Sequence, residues 1–184
     1  MNNQTNSTAN NTIHTASKIA VRKLVISGML VALTVALSGF SIPIGASRCF
    51  PIQHLINVLA GVFLGPIYSV SMAFCTSLIR NLTGTGSFLA FPGSMAGALL
   101  GALLYKRTRK FIFAYLGEIV GTGIIGGILC YPVAVLLMGK EVALFFYVVP
   151  FLMSTVCGTA MAVILIETLR RSGLFSYLNR MIEN

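Results

Sequence analysis

Ten consecutive residues of this sequence, RCFPIQHLIN, hold four side chains that could bind a small molecule through hydrogen bonds. These side chains are Arg48, Gln53, His54 and Asn57. With Pro51 in the first turn of a helix, the last three fall within one arc of about 100°. Polar groups are costly in a bilayer unless they face protein or water. The pattern therefore predicts side chains that line a cavity, although capping of helix ends is the alternative.

A second polar stretch, IRNLTGTGS, places Arg80, Asn81 and Thr83 beside two glycines. The glycines allow a tight turn with exposed backbone N–H groups. A phosphate-binding P-loop would need a lysine after the glycines, and Phe88 stands there instead. We therefore expect an ordered loop that lines or gates a pocket.

Glu118 is the only acidic residue well inside an apolar segment, and Thr122 follows one helical turn later. A charge at the centre of a membrane-spanning helix costs ~2.5–3.5 kcal/mol on insertion scales, so such a residue suggests function. The sequence predicts that Glu118 contacts a ligand or orients a basic side chain. A buried ion pair with Arg80 or Arg48 is the structural alternative.

Nothing in the sequence points to catalysis, a metal or a cofactor. The chain has no Asp, no HExxH motif and only two histidines, and its four cysteines form no CxxC pair. The GTGIIG run at 121–126 matches GxGxxG, but it lacks the preceding strand of a dinucleotide site. We expect helix packing there, as for the small residues Gly93, Gly97 and Gly101 and for Ser154, Gly158 and Ala162.

The composition predicts an all-α integral membrane protein. Hydrophobic residues make up 56% of the chain and charged residues 9%, with a mean hydropathy of +0.87. The net charge of +9 comes from basic residues beside apolar segments, which is typical of the positive-inside rule. Membrane lipid is therefore the expected partner, and nucleic acid is not.

Six apolar segments can be drawn, at 24–42, 52–64, 67–79, 88–105, 111–138 and 142–166. Three basic regions should be cytoplasmic: the N-terminus, the loop at 106–110 and the C-terminus. The chain must then cross the membrane an even number of times between them, which fits four spans before the loop and two after it. We expect residues 1–20 to form a disordered cytoplasmic tail, and residues 21–184 a single domain of six transmembrane helices. The loops at 43–51, 80–87 and 139–141 then share the outer face.

Three runs carry a family resemblance: RCFPIQHLINVLAGVFLGP, SLIRNLTGTGSFLAFPGSMAGALLGALLY and GEIVGTGIIGGILCYPVA. They resemble the ThiW-type substrate-binding S components of energy-coupling-factor (ECF) vitamin transporters. The resemblance implies a six-helix bundle of the S-component type, with its pocket near the outer helix ends. It also implies a partner transmembrane coupling subunit joined to two cytoplasmic ATPase subunits. The family carries a docking motif on the first helix, which Ala32 and Ala36 match here, with Gly28 in the same row.

The resulting prediction is a non-enzymatic binding subunit in the prokaryotic plasma membrane, which captures the thiamine precursor hydroxyethylthiazole, a small heteroaromatic. Arg48 would act as a gate or lid. The substrate-binding residues would be Gln53, His54, Asn57, Arg80, Asn81, Thr83 and Glu118. An S component for another vitamin, such as thiamine or hydroxymethylpyrimidine, is the alternative. An integral membrane enzyme acting on a lipid or isoprenoid is the alternative from a different class.

Overall fold

A computed structural model describes residues 2–44 and 47–183, and nearly all of them are helical. Within these residues there are seven helices, one short 3₁₀ turn (Leu37–Gly39) and one small β-hairpin. The helices are α1 (Asn2–Ala36), α2 (Pro51–Phe63), α3 (Pro66–Leu82), α4 (Ala90–Thr108), α5 (Phe111–Leu137), α6 (Val148–Arg171) and α7 (Leu174–Glu183).

Six of these helices, α1 to α6, coincide with the six predicted apolar segments. The seventh helix, α7, is one more than the six that the sequence predicts. Helix α7 has ten residues and begins after Gly173, which turns the chain at a φ of 73°. One face of α7 is apolar and the other is polar, so a search for continuous apolar runs passes over it.

Helix α1 also begins earlier than the sequence predicts. The backbone is helical from Asn2, whereas residues 1–20 were expected to be a disordered tail. No glycine or proline occurs before Gly28, so nothing in the covalent structure interrupts a helix there. The part of α1 that is apolar enough to span a membrane begins only at Ala16.

The break between α2 and α3 follows from two residues. Gly65 adopts a φ of 88°, which favours glycine, and Pro66 opens the next helix where its missing N–H has no consequence. At 13 residues, α2 is about 20 Å long and cannot cross a hydrocarbon core of about 30 Å. Most of its residues are buried, so the structure has two helices here and α2 lies inside the bundle.

The outer surface of the bundle is apolar. Among the residues that the structure describes, three helices are long and apolar enough to cross a membrane: Ala16–Gly39, Phe111–Leu137 and Val148–Arg171. Large hydrophobic side chains such as Leu24, Met29 and Leu136 are more than 60% exposed. A surface of this kind would aggregate in water and is suited to lipid.

Helices α4 and α5 pack through facing glycines. A Cβ atom placed on Gly121 would lie 2.7 Å from the Ala96 carbonyl oxygen and 2.7 Å from Gly97 Cα. One placed on Gly126 would lie 2.6 Å from Gly93 Cα. The packing interpretation of the GTGIIG run and of the glycine row in α4 is thus confirmed.

Strands β1 (Ile42–Ile44) and β2 (Ser47–Cys49) form an antiparallel hairpin between α1 and α2, where the sequence predicts only a loop. Because α1, α3 and α5 run towards the hairpin and α2, α4 and α6 run away from it, the loops after α3 and α5 lie at this same end. We call it the hairpin end. The opposite end, which we call the basic end, holds the start of α1, the turn between α4 and α5, and α7.

Candidate functional site

A cavity of about 490 Å³ lies at the hairpin end of the bundle. Its walls come from β2, the first turns of α2, α4 and α6, the end of α3, and the loops after α3 and α5. All three loops that the topology places on one face of the membrane contribute to it. A cavity of this volume suits a small organic molecule.

Arg80, in the last turn of α3, is the most deeply buried basic side chain at the cavity, at 1% exposure. One terminal nitrogen donates to Gln53 Oε1, and the other donates to the Thr85 carbonyl oxygen at 3.3 Å. The guanidinium carbon lies 3.9 Å from the centre of the Phe50 ring, a cation–π contact. Arg80 Nε and Gln53 Nε2 are buried without a hydrogen-bond partner within the described residues.

Aromatic side chains form much of the apolar wall. They are Phe50, Phe146, Tyr147 and Phe151. The Tyr147 ring meets Phe146 edge-on at 5.1 Å and Phe151 at 6.5 Å between ring centres. Burial raises the pKa of the Tyr147 phenol above its ordinary value, so this hydroxyl stays protonated at neutral pH. The wall therefore offers flat apolar surface together with neutral hydrogen-bonding groups.

Below the cavity, Glu118 joins α5 to α2 through a buried polar cluster. Its Oε1 lies 2.9 Å from His54 Nδ1 and accepts hydrogen bonds from Asn57 Nδ2 and Thr122 Oγ1, each at 3.1 Å. Asn57 Nδ2 also donates to the Ser94 carbonyl oxygen at 3.3 Å. Glu118 Oε2 has no partner in the part of the chain that the structure describes. The cluster holds His54 in place at the cavity floor.

The structural alternative for Glu118, a buried ion pair with Arg80 or Arg48, is wrong. Glu118 pairs with His54, and Arg80 contacts only neutral acceptors among the described residues. The physical reason is depth along the helices: Arg80 lies at the end of α3 and Glu118 near the middle of the bundle, beside Gly97 of α4. Helical phase alone could not fix that difference.

The structure separates the predicted site residues into two groups. Gln53, His54, Arg80 and the exposed Arg48 line the cavity. Asn57, Asn81, Thr83 and Glu118 do not.

Each of the four that do not line the cavity has a different place. Asn57 and Glu118 belong to the cluster below it. Asn81 Nδ2 donates to the carbonyl oxygens of Ser77 and Ser87 and so shapes the loop after α3. Thr83 is exposed and bonds within the same loop, to the carbonyl oxygens of Ile79 and Arg80.

The predicted docking residues lie apart from the cavity, on the outer surface of α1. Gly28, Ala32 and Ala36 are all exposed, and a Cβ atom placed on Gly28 would meet nothing within 4 Å. These residues therefore form a shallow row of small side chains on the surface of the bundle.

Sequence reasoning missed several wall residues. They are Phe50, Lys140, Phe146, Tyr147, Phe151, Ser94 and Ser154. The topology did place the loop at 139–141 on the same face as the two polar stretches, and this was the available signal. Aromatic residues in an apolar chain give no signal of their own, because they are equally common on lipid-facing surfaces.

Comparison with known proteins settles the family. The model of the ThiW family, described as thiamine-precursor transporter protein, matches residues 24–172, which is most of the chain. The chain belongs to the ThiW family. The resemblance found in the three sequence runs is thus confirmed. A ThiW-family protein is a transporter protein rather than an enzyme. It is also a multi-pass membrane protein, and the apolar helices of this structure are consistent with that.

A curated relative and a solved structure extend the comparison. The folate transporter FolT of Streptococcus mutans is 26% identical over 106 residues, 55% of this ThiW-family chain and 57% of that protein. The chain thus aligns with little more than half the length of this relative. A solved S component of a bacterial ECF transporter is 22% identical with a TM-score of 0.67, over 85% of this chain and 98% of the other. This likeness shows that the fold is that of an S component.

Proposed function

We propose that this protein is the substrate-binding subunit of an ECF-type importer and that it captures hydroxyethylthiazole from outside the cell. The supporting observation is a cavity with aromatic walls and a few polar groups, in a chain of the ThiW family. A thiazole ring offers one nitrogen, a sulfur and a flat apolar face. Such a ring suits stacking on Phe or Tyr, with a small number of hydrogen bonds to fix its orientation.

His54 is the central polar contact in this proposal. Its Nδ1 faces the Glu118 carboxylate, and the structure shows no hydrogen bond for Nε2 among the described residues. When Nδ1–H donates to an ionised Glu118, a neutral imidazole presents Nε2 as an acceptor. That acceptor is suited to the hydroxyl group of the precursor. Gln53 Nε2, a buried donor without a partner, is suited to the ring nitrogen.

A bundle of six helices in the membrane, α1 to α6, with both termini in the cytoplasm completes the proposal. The basic end carries most of the Lys and Arg residues, and the positive-inside rule assigns it to the cytoplasm. The hairpin end then faces outward with its cavity. Arg48, exposed on β2 at the rim, would act as the gate or lid.

In this proposal the energy for transport comes from partner proteins, since the sequence shows no nucleotide-binding motif of its own. We assign this role to a transmembrane coupling subunit joined to two cytoplasmic ATPase subunits. The row formed by Gly28, Ala32 and Ala36 would be the contact surface. Small side chains at this spacing let a partner helix approach closely in lipid.

A binding titration with the purified full-length protein tests the proposal. Hydroxyethylthiazole, thiamine, hydroxymethylpyrimidine, riboflavin and folate would each be titrated into protein in lipid nanodiscs. We expect hydroxyethylthiazole to bind most tightly. Tight binding of another compound, with no binding of hydroxyethylthiazole, would refute the substrate assignment.

The second candidate is an S component for a different vitamin. The similarity to a folate transporter over 106 residues favours keeping it. The cavity volume of about 490 Å³ also exceeds what a single five-membered ring fills. The folate and thiamine arms of the titration decide between the two candidates.

A further inference from the structure

The basic residues of this chain are divided unequally between its two ends. Ten of the 13 Lys and Arg residues belong to the basic end: Lys18, Arg22, Lys23, Lys106, Arg107, Arg109, Lys110, Arg170, Arg171 and Arg180. The other three are Arg48, Arg80 and Lys140, at the hairpin end. All three line the cavity. The positive-inside rule accounts for the ten but not for these three.

Among the described residues, none that lines the cavity is acidic, so nothing in its wall balances these charges. Glu118 lies below the wall, in contact with His54. Glu141 is adjacent to Lys140 in sequence but does not line the cavity. In the described part of the chain, no carboxylate lies within ion-pair distance of Arg48, Arg80 or Lys140.

Arg80 makes this imbalance costly. Arg80 is 1% exposed. Within the described part of the chain, its guanidinium is bonded only to the neutral oxygens of Gln53 and Thr85, and its Nε has no partner. The Phe50 ring offsets part of the cost through its cation–π contact. Buried charges in proteins are ordinarily paired with an opposite charge, and breaking such a pair is strongly destabilising. A buried guanidinium at a cavity wall, held by neutral groups alone, is suited to an anionic ligand.

Arg48 and Lys140 reach the cavity from other segments. Arg48 lies on β2, opposite Pro43, and Lys140 lies on the loop after α5. Both are exposed, so they keep their hydration and cost little in the empty protein. Three cations from three segments therefore surround one space, with a guanidinium in its wall and two more charges at its rim.

We propose that the compound this cavity takes carries an anionic group, a carboxylate or a phosphate monoester, which is bound by Arg80, Arg48 and Lys140. This inference rests on the proposed binding subunit and its thiazole ligand, and it replaces the neutral alcohol hydroxyethylthiazole, as the preferred ligand, with an anionic derivative of the same ring. The aromatic residues hold the ring, and the three cations hold the charged substituent. Charge-assisted hydrogen bonds to a carboxylate or phosphate are about twice as strong as neutral ones, and Arg binds both groups in bidentate fashion.

Matched thiazoles test this inference on the full-length protein in nanodiscs. The probes are hydroxyethylthiazole, its phosphate monoester, 4-methylthiazole-5-acetate and inorganic phosphate. We expect one or both anionic thiazoles to bind at least about tenfold more tightly than the neutral alcohol. Which of the two gains affinity distinguishes a phosphate from a carboxylate ligand.

Variants of the rim residues assign the effect to the proposed cations. Arg48→Met combined with Lys140→Met should reduce the preference for the anionic thiazole to about threefold or less, because two of the three charges are gone. Both residues are exposed, so folding is not at risk. Lys106→Met combined with Arg107→Met is the matched control: it also removes two exposed charges, but at the basic end, and it should leave the preference unchanged.

Several results would overturn the inference. Equal or tighter binding of the neutral alcohol would refute it and leave the proposed function standing. Inorganic phosphate that binds as tightly as the thiazole phosphate would also refute it, because no ring would then be selected. An unchanged preference in the double variant would remove the rim cations from the site. No binding of any thiazole to folded protein would refute the proposed function itself.

Discussion

His54 Nδ1 and Glu118 Oε1 lie 2.9 Å apart in a region where both side chains are almost fully buried. This contact joins the helix inside the bundle, α2, to the first third of α5. Asn57 and Thr122 donate to the same carboxylate oxygen. Three side chains thus depend on one acidic group, the only one the sequence places deep in an apolar segment.

Replacement of Glu118 should therefore destabilise the protein in proportion to the number of hydrogen bonds that are lost. Glu118→Leu leaves His54 Nδ1 and Thr122 Oγ1 without this partner, at a cost of about 1–3 kcal/mol for each unsatisfied group. Asn57 Nδ2 loses one of its two acceptors and keeps the Ser94 carbonyl oxygen. Glu118→Gln keeps one acceptor oxygen and should cost less. The midpoint of thermal unfolding in detergent measures both variants. The exposed Glu141→Gln is the control, and an unfolding midpoint in Glu118→Leu equal to that of the control would contradict the role given to the cluster.

Residues that line the cavity and residues that do not should respond differently to mutation, as measured by ligand affinity. His54→Ala removes a side chain that lines the cavity, and we expect the affinity for hydroxyethylthiazole to fall at least about tenfold. Thr83→Ala changes an exposed residue that does not line the cavity, and its affinity should stay within about twofold of the unmodified protein. Titration of both variants measures the difference, and a larger loss in Thr83→Ala than in His54→Ala would reverse the assignment.

Helices α1 to α6 and the shared face of three loops could be predicted from the sequence, because hydropathy and positive charge act locally along the chain. The partner of Glu118 could not. Helical phase gives the direction of a side chain but not its depth relative to another helix, and that depth is set here by the close approach of Gly97 to Glu118. For the same reason, Asn57 shares the face of Gln53 and His54 yet lies below the cavity.

The glycine contact between α4 and α5 should be intolerant of even one methyl group. A Cβ atom at Gly121 would meet backbone atoms of α4 at 2.7 Å, and a backbone cannot move aside as a flexible side chain does. Gly121→Ala should lower the unfolding midpoint or prevent accumulation of folded protein. Gly28→Ala is the matched control, since its Cβ would meet nothing within 4 Å and alanine favours a helix. Equal unfolding midpoints in the two variants would show that α4 and α5 are not so closely packed.

The row of small residues on α1 should matter for uptake and not for binding. Ala32→Leu with Ala36→Leu adds bulk to an exposed face remote from the cavity, so the affinity for hydroxyethylthiazole should remain unchanged. Close approach of a partner helix would be blocked, and uptake of labelled hydroxyethylthiazole by cells that hold the coupling module should fall at least about tenfold. Ala160→Leu, which adds the bulk of one such substitution to an exposed position on α6, is the control and should transport normally. Uptake that survives the α1 double variant would mean that the partner docks elsewhere. Uptake that is lost equally in Ala160→Leu would mean that added bulk anywhere on the lipid-facing surface impairs transport.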